Sequence, residues 1–397
     1  MIITLEQTER EQRLQAVRDV VREKNYKGML FVADSYLGKK GSLRYLFDNH
    51  LIHRYGFGLV LPDEQYQILP SGLHWCTDRR VPDTLFPSDH EVMEVVRRLK
   101  EHGVTTGVVG VVGLNNTMKI EDFRYLTQEL PEIEWVDASV TFDEIRSIKS
   151  KPEIEGIKEA NRIIEASFDA IIEHIKSGLT EEEAVSVAYS TAHALGAKDT
   201  LYLTLSSEQA GAVEPYFLNP RPKVIKDGDY LIVSLEITGP SGHWVEHSRM
   251  FCFGQRDEEM EKLAGLVAKG IQYAEVTMKP GVKVTDIQEQ VEKMAQVEGY
   301  HCGHLTGHGI GMDVIERPFV ARQTNTAFVG VEVPGKDDEE LLYLKEGMVI
   351  SFHPQIMRTD KQKSAYMSDV FVITEDGAER LSSRNHEVIL IGGETIR

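Results

Sequence analysis

The chain opens with alternating helical and strand patterns. Residues 4–24 (TLEQTEREQRLQAVRDVVREK) repeat apolar positions at helical spacing among charges, which predicts an amphipathic helix. GMLFVAD (28–34) and RYGFGLVLP (54–62) are nearly unbroken apolar runs and predict strands. HEVMEVVRRLKEHG (90–103) returns to helical spacing and stops at Gly103. Together these predict an α/β part with a sheet core. The glycines of GVVGVVGLNN (Gly107, Gly110 and Gly113) lack the G-x-G-x-x-G order and a following helix, so the segment reads as strand and turn rather than a nucleotide loop.

The pattern changes near residue 150. Lys151-Pro152 predicts an extended break, because the proline ring disfavours helical backbone in the residue before it; a long helical pattern then runs on to Gly178. Thr180 with Glu183 forms a capping box for a second helix, TEEEAVSVAYSTAHALG. Strand signals follow at 230–254, then a helix near 256–277 and another begun by Thr285 after the KPG turn. Residues 300–397 return to strand and turn signals. Helices beside a largely antiparallel set of strands predict an α+β fold, and two domains are expected, 1–150 and 151–397. Within the second, VIKDGDYLIVSLEI (224–237) and YLKEGMVISFHPQI (343–356) share an apolar residue, Lys, an acidic residue and Gly before a strand. This echo predicts two like turns feeding strands that face one another across a cavity.

Composition narrows the partners. With 397 residues, 41% of them hydrophobic, the chain can bury sizeable cores. Its 44 basic against 63 acidic side chains give a formal charge of -19, which repels a phosphate backbone or an anionic membrane surface. The expected partner is therefore a small-molecule substrate, not nucleic acid or membrane. MIITLEQTEREQ lacks the basic and apolar regions of a signal peptide, no apolar run is long enough to span a bilayer, and a cytoplasmic location is expected. Cys76, Cys252 and Cys302 are scattered and odd in number, which fits a reducing compartment better than a disulfide framework.

The residues with chemistry follow the two echoed turns. SLEITGPSGHWVEHSRMF sets Glu236 and Glu246 ten residues apart around a Gly-Pro-Ser-Gly turn. In a hairpin, that even spacing puts both carboxylates on one face; the alternative is two solvated strand charges. In HLTGHGIGMDVIERP, His304 and His308 lie among glycines that let backbone and ligand approach closely, as suits a metal ligand or a general acid/base. His353 stands in the apolar strand GMVISFHPQI, either as a satisfied core histidine or as a site residue.

These segments, in this order, resemble the creatinase, prolidase and aminopeptidase P family, whose fold is known as pita-bread. TGHGIGMDVIERP is similar to the family's GHGIG loop, and LKEGMVISFHP to its strand ending in Glu-Pro. The resemblance implies a creatinase-like N-terminal α/β domain, a C-terminal pita-bread domain with a curved antiparallel sheet flanked by helices, and a homodimer. It also implies a site. Glu236 matches the first metal aspartate of the family, with Leu235 there if no gap is allowed. Glu246 matches the second and His308 the metal histidine. His353 replaces the first metal glutamate and Ser368 the second, which normally bridges two ions. Glu316 and Arg249 fall among the substrate-side motifs, Tyr216 stands where many relatives have a histidine, and Arg54 or His53 lies in a segment that reaches a partner's site.

Losing the bridging carboxylate weakens a two-ion centre, since adjacent cations need shared anionic ligands. The expectation is one divalent ion (Zn, Fe or Mn) held by Glu246, His308 and His353, with Glu236 as a fourth ligand, an orienter or the base, hydrolysing a small C–N substrate of amide or amidine type. Four alternatives stand beside it: a metal-free creatinase-like amidinohydrolase, an Xaa-Pro dipeptidase, a lyase of the dimethylsulfoniopropionate type, suggested by EITGPSGHWVEHSR, and a non-catalytic binding module.

Overall fold

The computed structural model describes residues 7–52, 54–70, 85–88, 90–206, 217–322 and 341–392. The chain divides into two compact units, Met1–Arg146 and Ser147–Arg397.

The first unit is built on a six-stranded mixed sheet. Its strands are β1 (Gly28–Asp34), β2 (Tyr55–Val60), β3 (Gln65–Pro70), β4 (Leu85–Ser88), β5 (Thr106–Val112) and β6 (Glu132–Asp137), in the order β4-β3-β2-β1-β5-β6. β1 and β2 are buried along their whole length, which explains why both read as continuous apolar runs. The helix Glu91–Glu101 lays Val95 and Leu99 on this sheet. The glycine-rich segment forms β5 and the turn after it, as its pattern predicts.

The second unit begins at the helix Lys151–His174, and here the local reading is corrected. Ser150 caps this helix by accepting from Glu153 N, while the Glu153 carboxylate accepts from Ser150 N. Pro152 lies in the first turn, where no intrahelical partner is needed for its missing N–H, so the proline opens the helix rather than breaking the chain. The Thr180–Glu183 capping box forms as predicted, ahead of the helix Glu181–Ala194. Two further helices span Glu258–Thr277 and Val284–Val297.

Its strands are β7 (Thr200–Ser206), β8 (Tyr230–Thr238), β9 (Trp244–Phe253), β10 (His301–Cys302), β11 (Leu305–Gly309), β12 (Glu316–Ala321), β13 (Val349–Phe352), β14 (Gln355–Met357), β15 (Ser364–Tyr366), β16 (Asp369–Ile373), β17 (Ala378–Arg380) and β18 (Ile389–Ile391). They form three sheets: β18-β9-β8-β7, β12-β11-β13-β16-β17 and the small β10-β14-β15. All pairings are antiparallel except β18 with β9, and a bridge between Ser248 and Ser368 ties the first two sheets together. One core joins them: Leu231, Val233, Leu235 and Ile237 of β8 pack with Ile157, Ile164 and Phe168 of the first helix and with Val349 and Val370. Each such side chain contributes roughly 1.5–3 kcal/mol by leaving water.

The two echoed turns have the same build. Asp229 N donates to Lys226 O and Met348 N to Lys345 O, both at 3.1 Å, and Gly228 and Gly347 take φ of 90° and 84°. Such left-handed backbone favours glycine, which explains the repeated K-acid-G before β8 and β13.

Candidate metal centre

Strand alternation sorts the residues of the β8–β9 hairpin. Leu235 and Ile237 face the helical core, so Ser234 and Glu236 face the other way. Across the hairpin Glu236 pairs directly with Glu246, and Ser234 with Ser248. Both acids therefore share one face. The same register puts Leu235 in the core, on the face away from the two acids.

His308 sits on β11, next to its last residue, between β12 and β13 and opposite Ser351. The two glycines around it are required by space. A Cβ on Gly307 would stand 2.7 Å from Ser351 O, and one on Gly309 would stand 2.3 Å from Arg317 O, both backbone atoms that cannot swing aside. Gly309→Ala should therefore cost about 1–3 kcal/mol through overpacking; an unchanged urea midpoint would refute this. His353 follows β13, its N–H donating to Thr306 O at 2.7 Å, and its ring centroid lies 5.0 Å from that of His308.

Among the described residues, Glu246, His308 and His353 form a buried group whose ligand atoms all lie within 4.8 Å of one another. His308 Nδ1 is 2.9 Å from Gly309 O, so that nitrogen donates to the carbonyl and Nε2 is the one turned toward Glu246. Nε2 stands 3.6 Å from Glu246 Oε2, which is long for a hydrogen bond. It is close to the ~3.4 Å expected between two ligands about 2.1 Å from one tetrahedral ion. Glu246 is held at both oxygens: Tyr366 donates to Oε1 at 2.9 Å and Ser351 to Oε2 at 3.0 Å.

The protonation states suit ligation. Burial pushes the His353 ring down to about 4, with His308 adding to the effect against the Glu246 charge, so it is neutral near pH 7. Burial alone would raise Glu246, but His353, His308 and Tyr366 outweigh it and hold the acid down at about 2. A neutral imidazole and an ionised carboxylate are the forms that bind metal. Burial, and then the Glu246 charge across the strand, push Glu236 well above the carboxylate range. Glu236 lies opposite Glu246 on the neighbouring strand, outside the group of three.

Other expected site residues lie elsewhere. Arg249 is buried on the opposite face of β9 from Glu246, donating to Ser248 O, Ser368 O, Asp369 and Ser382 Oγ, each at 2.8 Å. It braces strands rather than facing substrate. His247, on that same face, is hydrogen-bonded to Asp369 and Asn161. Glu316 is buried in an ion pair with Lys149 at 2.9 Å and accepts from Asp313 N, so internal partners occupy the carboxylate expected to meet substrate. His304 and Arg54 are exposed, Arg54 in the first unit with φ of 96°. Tyr216, His53 and Cys76 lie outside the described residues. Ser368 Oγ donates to Ser248 Oγ at 3.1 Å, which donates to Ser234 Oγ at 2.7 Å, forming a chain of neutral hydroxyls beside the acids. Sequence reasoning missed Ser351 and Tyr366. Ser351 was within reach, since in ISFHP it lies two residues before His353, on one strand face.

Residues 155–375, more than half of the chain, match the signature of metallopeptidase family M24. The chain belongs to this family. It is 23% identical over 338 residues to the Xaa-Pro dipeptidase of Pyrococcus furiosus, covering 83% of this chain and 86% of that one. The prolidase structure from Pyrococcus horikoshii OT3 superposes with a TM-score of 0.77 at 18% identity, covering 95% of this chain and all of the other, 100%. The X-Pro aminopeptidase structure from Thermotoga maritima MSB8 gives 0.76 at 18% identity, covering 95% and 99%. This M24 member thus has the two-part α+β architecture with a pita-bread domain, and it is a hydrolase by family. Among the described residues, no helix is long and apolar enough to cross a membrane.

Proposed function

We propose that this M24 hydrolase cleaves the C–N bond of a small amide substrate with one divalent ion (zinc, iron or manganese) held by Glu246, His308 and His353. The buried convergence of these three ligands, one carboxylate and two imidazoles, within 4.8 Å carries the reading. The neutral hydroxyls of Ser234, Ser248 and Ser368 support a single ion, since they offer no shared negative charge for a second. Within the class of amides, the relatives named Xaa-Pro dipeptidase favour a dipeptide ending in proline.

Glu246, His308 and His353 would hold a divalent ion here, which would supply Lewis-acid polarisation of the scissile carbonyl and a water of lowered pKa. The protein's own groups do the rest. Ser351 and Tyr366 orient Glu246, and Gly309 O fixes the His308 tautomer. Glu236, opposite Glu246, would take the proton of the attacking water once the ion's charge keeps its carboxylate ionised, and would pass that proton to the leaving nitrogen. Water thus adds hydroxyl to the acyl carbon and hydrogen to the amine. A homodimer, expected from the family resemblance, belongs to the same proposal.

A metal-free reading has one observation in its favour: both Glu246 oxygens already accept hydrogen bonds from Tyr366 and Ser351. One assay separates the readings. The purified protein, stripped with chelator and then resupplied with zinc, iron or manganese, is given Xaa-Pro dipeptides, other short amides and creatine. Turnover of the dipeptides that disappears on stripping and returns with ion supports the proposal. Creatine turnover that survives complete stripping would overturn it.

A further inference from the structure

Tyr366 lies two residues before Ser368 and has no role in the sequence reading, yet three observations converge on it. It ends β15, in the small three-stranded sheet, whereas Glu246 and His308 lie on strands of the two larger sheets. Its hydroxyl donates to Glu246 Oε1 at 2.9 Å. Its ring lies nearly parallel to that of His353, with 5.7 Å between centroids and 27° between planes, and Phe217 packs edge-on against it at 4.7 Å.

We propose that Tyr366 is a positioning residue that makes Glu246 a one-oxygen ligand and holds the His353 ring in its ligating orientation; this rests on the metal reading above. A carboxylate hinged at its side chain can offer one oxygen or two to a cation. Here the phenol engages Oε1, so Oε2, steadied by Ser351, is the oxygen turned toward the His308 imidazole. Rotation of an imidazole about its last torsion is only weakly restricted by intrinsic preference, so a ring stacked on it supplies the restraint. Partners that orient ligands in this way commonly change metal affinity by 10–100-fold when removed.

Tyr366→Phe isolates the hydroxyl, because the ring, its stacking and its volume remain. Cobalt(II) serves as the probe, titrated into the metal-stripped full-length protein, with affinity read by calorimetry, coordination by visible absorption and folding by thermal melting. The expected result is a wild-type-like melt, an affinity roughly 10-fold or more weaker, and weaker visible bands as Glu246 engages through both oxygens and coordination number rises. A variant with wild-type affinity and spectrum would overturn the role of the Tyr366 hydroxyl on Glu246 and leave the metal reading standing. Tyr366→Leu, which also removes the stacked ring, should weaken cobalt binding further than Tyr366→Phe, and equal affinities in the two variants would overturn the restraint on His353. Wild-type protein that binds no cobalt would overturn both.

Discussion

Glu246→Gln should leave a folded protein whose kcat/KM falls by about 1,000-fold or more and which no longer retains its ion through purification. Glutamine has nearly the same shape, and the Tyr366 and Ser351 hydroxyls can rotate to suit an amide, so the packing survives. What disappears is the one negative charge among the three ligands and the strongest electrostatic hold on a divalent cation. The change also relieves Glu236 of the like charge that adds to burial in raising its pKa. Steady-state kinetics and metal analysis of the same preparation check this. Activity within a few-fold of wild type would show that Glu246 is not a ligand.

Asp369→Ala should be among the most destabilising single changes, costing about 3–5 kcal/mol, because it strands buried cationic partners. Asp369 is fully buried and accepts from Arg249 at 2.8 Å, His247 at 2.9 Å and Arg380 at 3.1 Å, with His386 as a fourth partner. These bonds tie β9 to β16 behind the site. Burial alone would raise the Asp369 carboxyl; Arg249, His247 and His386 outweigh it and hold it well below the ordinary range. A depressed acid stabilises the fold fully above its unfolded value of about 3.9 and loses that contribution as pH falls from there through the lower folded value. The gap between wild type and variant should therefore be constant near neutrality and close in acid. Urea unfolding at several pH values measures it, and a gap that widened in acid would contradict the assignment.

Much of the architecture was legible because local physics sets it. The apolar alternation of YLIVSLEI fixes which side chains of β8 face the helices, and the GPSG turn fixes the hairpin that brings Glu236 opposite Glu246. The capping box at Thr180 announced its helix, whereas the equivalent one at Ser150 was masked by the proline beside it. The GHG triplet marked a strand too crowded for any Cβ around His308.

What was not legible depends on meetings between distant segments. Tyr366 reaches Glu246 across 120 residues and Asp369 reaches His247 across 122, and periodicity reports which way a side chain points without saying what it meets. Arg249 shows the same limit: the alternation that aims Glu246 at the site aims Arg249 away, toward a partner that only the fold supplies.

The central claim is one ion on three ligands. Crystals grown with zinc or manganese and measured on both sides of the metal's absorption edge test it most directly. The account predicts a single anomalous peak about 2.0–2.3 Å from Glu246 Oε2, His308 Nε2 and a ring nitrogen of His353. No peak among these residues, or a second peak beside Ser234 and Ser368, would contradict it.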